Sequence, residues 1–96
     1  MEAKKIIITG GATRIGAAIA KSLANYETSI TIHFNTSKKE AEKVKKELQD
    51  LGSEVHLIKA DLSSQKQTEN LIKNAFKKMK GIDCLINNAS VFENDD

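Results

Sequence analysis

Short apolar runs and helix-spaced apolar stripes alternate along the 96 residues from end to end. Ile6-Ile7-Ile8-Thr9 is a β-branched run stopped by Gly10-Gly11, the pattern of a strand buried on both faces. Ile15, Ala18, Ile19, Ala20, Leu23 and Ala24 follow at helical spacing without a breaker. Ser29-Ile30-Thr31-Ile32-His33-Phe34 alternates at period two and predicts a second strand. Ser37 with Glu40 has the form of a capping box, in which each side chain satisfies an otherwise unpaired backbone N–H. It opens a helix whose apolar stripe is Ala41, Val44, Leu48 and Leu51, with lysines opposite and Gly52 as its C-terminal stop.

Val55-His56-Leu57-Ile58 predicts strand three, and Ser64 with Gln67 a second capping box. The helix it opens carries Leu71, Ile72, Ala75, Phe76 and Met79 on one face and has Gly81 after it. Ile82-Asp83-Cys84-Leu85-Ile86 is the fourth strand, and beyond Asn87 the chain turns polar. Four strands alternating with three helices of about 12–17 residues specify right-handed βαβ units. The expected fold is α/β, a Rossmann-type parallel sheet of strand order 3-2-1-4 with helices on both faces. There is no internal repeat, low-complexity stretch or linker, so residues 1–96 read as one unit.

Composition narrows the function classes. A net charge of +2 is too small to argue for a nucleic-acid partner, and three Phe and one Tyr provide no stacking platform for single strands. At 40 % hydrophobic and 29 % charged the chain is globular rather than disordered. Its single cysteine, Cys84, cannot form an intrachain disulfide, which points to a reducing compartment. Met1-Glu2-Ala3-Lys4-Lys5 is followed by only three isoleucines, so neither a signal peptide nor a membrane span is expected, and the expected location is cytoplasmic.

The chemistry is concentrated where strand one feeds helix one, at Thr9-Gly10-Gly11-Ala12-Thr13-Arg14-Ile15-Gly16. A pyrophosphate approaches closely only backbone that lacks Cβ atoms, and the following helix offers free N–H groups and a partial positive charge. A tight βα turn that merely uses glycine is the plain alternative. The position within the first βαβ unit favours a dinucleotide site formed by Gly10, Thr13, Arg14, Ile15 and Gly16. Arg14 is the only arginine; the other basic residues are lysines. Its planar fork can hold a phosphate through two hydrogen bonds or stack on a flat ring.

The end of strand two bears on the cofactor. An acid there would bind the adenosine ribose hydroxyls and mark NAD, but the segment reads His33-Phe34-Asn35-Thr36-Ser37. Without a carboxylate to repel it, a 2′-phosphate fits among Arg14, His33, Thr36 and Ser37, which favours NADP(H) over NAD(H). The alternative for His33 is an ordinary, partly buried strand residue.

Thr9-Gly10-x-x-x-Arg14-Ile15-Gly16, Ala60-Asp61-Leu62 and Asn87-Asn88-Ala89-Ser90 together resemble the short-chain dehydrogenase/reductase family in order and spacing, from residue 4 onward. The resemblance implies hydride transfer between a nicotinamide dinucleotide and a carbonyl, alcohol or imine. It also implies that Asp61 hydrogen-bonds the adenine amino group with Leu62 beside the ring, that Asn87 braces the sheet, and that Asn88-Ala89 lines the cofactor ribose. Arg14 and Ser90 stand where the family often has glycine. With His33-Phe34-x-x-Ser37 and Asn88-Ala89-Ser90-Val91-Phe92 they resemble the pteridine-reductase branch, which would place Arg14, Ser90 and Phe92 beside a pterin substrate, the Phe92 ring stacking on it.

The family's chemistry also needs a Tyr followed four residues later by Lys, as proton donor and pKa-lowering partner. Here Tyr26 is followed at that spacing by Ile30. The expectation is therefore the NADP(H)-binding N-terminal half of a reductase, without the catalytic half, inactive and weakly binding by itself. The exposed apolar edge of strand four would then favour homo-oligomers or pairing with the missing half. A non-catalytic nucleotide-binding module and a degenerate gene product are the alternatives.

Overall fold

The computed structural model describes residues 3–88, so the expectations for Ala89, Ser90 and Phe92 lie outside the described residues. Its elements are β1 (Lys4–Thr9), α1 (Arg14–Leu23), β2 (Thr28–Phe34), α2 (Lys38–Asp50), β3 (Glu54–Lys59), α3 (Gln65–Met79) and β4 (Cys84–Asn87). The strands form one parallel sheet of order β3-β2-β1-β4, as the alternation of patterns requires. The helices run to 10, 13 and 15 residues, shorter than expected at α1.

The two sheet faces are built differently. Ile6, Ile8, Ile30, Ile32 and Val55 pack with Ala20 of α1 and with Val44 and Leu48 of α2. On the other face Ile7 packs with Ala75 and Met79 of α3. Every residue of β2 is buried, because β1 and β3 flank it and helices cover it above and below. Its alternation therefore separates two interior faces, not inside from outside. The isoleucines meet α1 and α2, whereas Ser29, Thr31 and His33 lie on the α3 side. Among the described residues the Ser29 Oγ and Thr31 Oγ1 atoms are buried without a hydrogen-bond partner.

Several local expectations are corrected. In α1 the buried residues are Gly16 and Ala20, while Ile15 is 67 % exposed, because α1 starts on the turn above the strand ends and presents its smallest residues to the sheet. Ser37 precedes α2 without a side-chain cap bond, so its half of that capping box is not formed. Leu51 lies one residue past α2 and is 46 % exposed, leaving Ala41, Val44 and Leu48 as the working stripe. Gly52 does end that helix, with φ 104°, its N–H donating to Gln49 O and that of Ser53 to Leu48 O. On α3, Phe76 faces solvent and Leu71, Ala75 and Met79 are buried. β4 begins at Cys84; Asp83 is held before it by the Lys5 N–H on Oδ2 (2.8 Å) and by its own N–H on Lys5 O (2.7 Å).

Candidate dinucleotide site at the strand ends

All four strands end on one edge of the sheet, and the crossover reverses direction between β1 and β4. Such a reversal opens a crevice beyond the carboxyl ends of the strands. The β1–α1 turn lies over it. Gly10 takes φ 65°, a conformation that side chains other than glycine's rarely allow. Its carbonyl accepts from the Thr13 N–H (3.1 Å), the Thr13 hydroxyl (2.7 Å) and Asn88 Nδ2 (3.1 Å). A Cβ on Gly16 would collide with Gly10 O and come within 2.8 Å of Gly11 Cα. A Cβ on Gly11 would come within 2.8 Å of Ile32 Cδ1. Gly16 is therefore required by close approach of the helix to the turn's backbone and Gly10 by its positive φ, whereas at Gly11 the Ile32 side chain would have to give way.

Thr13 joins the turn to the helix. Its hydroxyl accepts from the Gly16 N–H (3.1 Å) and from Asn88 Nδ2 (3.1 Å), and its carbonyl accepts from the Ala17 N–H (2.8 Å). Asn88, just past β4, thereby ties the far side of the crevice to the turn. Asn87 accepts at Oδ1 from the Thr9 hydroxyl (3.0 Å), cross-linking the ends of β4 and β1. The amides of Arg14 and Ile15, in the first turn of α1, have no acceptor within the helix and lie at its positive end. Both side chains are exposed.

At the end of β2, His33 is not among the exposed groups, which corrects its expected place beside a 2′-phosphate. It is 2 % exposed, and both ring nitrogens are engaged: Nδ1 accepts from the Gly10 N–H (3.0 Å) and Nε2 lies 2.8 Å from Ala60 O. Burial pushes its pKa below the ordinary imidazole value, partly offset by the bond to Ala60. Thr36 and Ser37 are exposed beside it, and the uncapped Ser37 hydroxyl remains available to a ligand.

At the end of β3, Asp61 is exposed. Its Oδ1 accepts from the Ser63 hydroxyl (2.7 Å) and the Ser63 N–H (3.0 Å). The hydroxyl first and the amide second hold its carboxyl below the usual carboxylate range, so it is ionised at neutral pH. Its own N–H donates to Gln67 Oε1 at 2.8 Å, which is where that glutamine points instead of completing a capping box. Ser64 does accept from the Gln67 N–H (3.2 Å). Leu62 is half-buried beside Asp61. Ser63 and Gln67 are supporting residues that the motifs did not single out; an acid followed two residues later by serine is the local signature that marks them.

Gly10, Thr13, Gly16, His33 and Asn88 thus form one bonded unit, with Arg14 and Ile15 on its rim. Thr36, Ser37, Asp61 and Leu62 stand at the neighbouring strand ends. The donor set fits a dinucleotide: a backbone cradle with no Cβ, a positive helix end for the pyrophosphate, and an ionised carboxylate two strands away.

Comparison with known proteins agrees. The short chain dehydrogenase family model matches residues 4–96. An uncharacterized oxidoreductase of Methylorubrum extorquens is 32 % identical over 93 residues, which cover 97 % of this chain and 38 % of the relative. A Burkholderia cenocepacia protein solved with bound NADP superposes with a TM-score of 0.81 at 30 % identity, over 88 % of this chain and 34 % of that one. An NADH-dependent reductase solved with NAD gives a TM-score of 0.84 at 28 % identity, over 93 % and 37 %. The chain therefore spans well under half the length of the relatives it matches. With the family model matching residues 4–96, and the motifs and the strand order in agreement with it, the chain belongs to the short-chain dehydrogenase family.

Proposed function

We propose that residues 1–96 are the dinucleotide-binding portion of an NAD(P)H-dependent oxidoreductase. The observation that carries this reading is the clasp in which Asn88 and Thr13 hold the Gly10 carbonyl and so fix the β1–α1 turn at the strand ends. The nicotinamide supplies or accepts a hydride when the cofactor is bound. The chain's own residues do the binding: the amides of Arg14 and Ile15 receive the pyrophosphate, and Asp61 accepts from the adenine amino group beside Leu62. Asn88 and Ala89 border the ribose.

The preferred cofactor is NADP(H). No acid stands at the end of β2; Thr36 and Ser37 are exposed just past it and Arg14 is exposed at the start of α1, which supports their meeting a 2′-phosphate. His33 is left out of that set because its ring nitrogens are already engaged. The substrate class proposed for the complete enzyme is a pteridine-like ring, supported by Arg14, Ser90 and Phe92 in the pattern of that branch.

No proton donor is assigned within these residues. Tyr26 lies between α1 and β2, at the opposite end of the sheet from the turn, with its ring over Gly52. Hydride transfer accordingly belongs to the complete enzyme, and NADPH oxidation by the 96 residues alone would contradict this assignment. Calorimetric titration tests the cofactor preference. NADPH is expected to bind more tightly than NADH to the wild-type chain, and Arg14→Ala is expected to remove most of the difference. Tighter NADH binding would overturn the preference.

A further inference from the structure

The His33 ring is buried at the end of β2 with an N–H donor on one side and a carbonyl on the other. The Ala60 oxygen can only accept, so Nε2 must carry the proton; the Gly10 N–H can only donate, so Nδ1 must be bare. One neutral tautomer satisfies both contacts. A protonated ring would set an Nδ1–H against the Gly10 N–H and would carry a charge in a site 2 % exposed. The Gly10 N–H belongs to the residue whose carbonyl Thr13 and Asn88 hold. The backbone runs on from there, with the Gly11 N–H donating to His33 O at 3.1 Å.

We propose that His33 is the positioning residue of the dinucleotide turn, so that nucleotide affinity depends on its neutral Nε2–H tautomer and falls when the ring is protonated. This rests on the function proposed above and adds a regulation of the same site. Among the described residues, the ring's hydrogen-bond partners are both uncharged backbone groups. Ile58 pairs with His33 from β3, Thr9 ends the neighbouring β1, and the buried face of α3 is Leu71, Ala75 and Met79. The charged groups nearest in sequence and topology are Lys59, Asp61, Arg14 and, on α3, Lys66 and Glu69, all exposed.

Burial holds the folded-state pKa of His33 below its unfolded value. Above the ordinary imidazole value of about 6.5 the ring is neutral both folded and unfolded, and the full contribution is present. As pH falls below that value the unfolded chain takes up the proton first, and the loss is complete below the folded-state pKa. Local opening of the turn follows the same direction.

The test is a pair of titrations on the 96-residue chain and on His33→Asn, whose carboxamide oxygen can accept from the Gly10 N–H without titrating. First, the Gly10 amide and the His33 imidazole of the nucleotide-free chain are followed by NMR from neutral to acid pH. The two should titrate with one midpoint while the amides of β3 and α2 stay in place. A Gly10 amide indifferent to His33, or loss of all resonances together, would overturn the proposal. Second, the affinity for ADP-ribose, which has no 2′-phosphate to titrate, is measured over the same range. As pH falls from about 6.5 through the folded-state pKa of His33, the wild-type chain should lose affinity that His33→Asn keeps. Equal pH profiles would overturn the proposal. If ADP-ribose binds at no pH, the proposed function fails, and the nucleotide-free titration still decides the role of His33.

Discussion

Gly16→Ala is expected to remove nucleotide binding while leaving a folded, less stable sheet. The added Cβ would run into Gly10 O and come within 2.9 Å of Asn88 Nδ2, so the turn, the helix and the end of β4 cannot all keep their places. Overpacking against backbone of this kind costs about 1–3 kcal/mol. Moving Gly10 O away also breaks its contacts with Thr13 and Asn88, which fix the turn. The loss in NADPH affinity should reach at least roughly tenfold, the equivalent of 1.4 kcal/mol. Urea unfolding and calorimetric titration of the same preparation separate the two effects. An affinity unchanged within about twofold would show that the turn does not touch the nucleotide.

Leu48→Ala is expected to be the most damaging of the simple truncations, and Leu51→Ala nearly silent. The two leucines share one predicted stripe, yet Leu48 is fully buried among Val44, Ile30 and Val55, whereas Leu51 is 46 % exposed past the end of α2. Removing a buried leucine costs about 2–5 kcal/mol through lost burial and the cavity left behind. A native domain has only about 5–15 kcal/mol in all. An exposed leucine at a helix end is worth within about 0.5 kcal/mol. Denaturant midpoints of the two variants check this directly, and equal losses would contradict the packing described for α2.

The contrast between these leucines also shows how far the amino-acid pattern alone specifies the architecture. The order of elements, the parallel sheet and the identity of the glycine-rich turn follow from β-branched runs, helix spacing and the glycines at 10, 11, 16 and 52. Helix ends are less legible, because a capping pattern such as Ser37 with Glu40 states a possibility that the local backbone need not use. At Gln67 the same pattern forms only half, since the Asp61 N–H offers that side chain a competing partner.

The candidate site is legible where backbone chemistry selects the residue and obscure where tertiary placement does. Gly10 and Gly16 stand out in the sequence because a side chain there meets a positive φ or nearby backbone, and Thr13 because its hydroxyl caps the helix that follows. His33 is different. A histidine at the end of a strand reads equally as a phosphate ligand or an interior group, and only the depth of β2 between two helix layers resolves it. Ser63 likewise acts through Asp61 and leaves only a short local signature.

The central claim is that a nicotinamide dinucleotide lies on the β1–α1 turn, across the ends of the strands. It is tested most directly by mapping backbone amide shifts of the labelled 96-residue chain during titration with NADPH. Saturable shifts are expected at Gly10 to Gly16, at Asp61 and Leu62, and at Asn88, while Tyr26, Gly52 and Ser53 at the opposite end of the sheet stay unchanged. Saturable shifts confined to that opposite end, or no shift at the turn at saturating nucleotide, would contradict it.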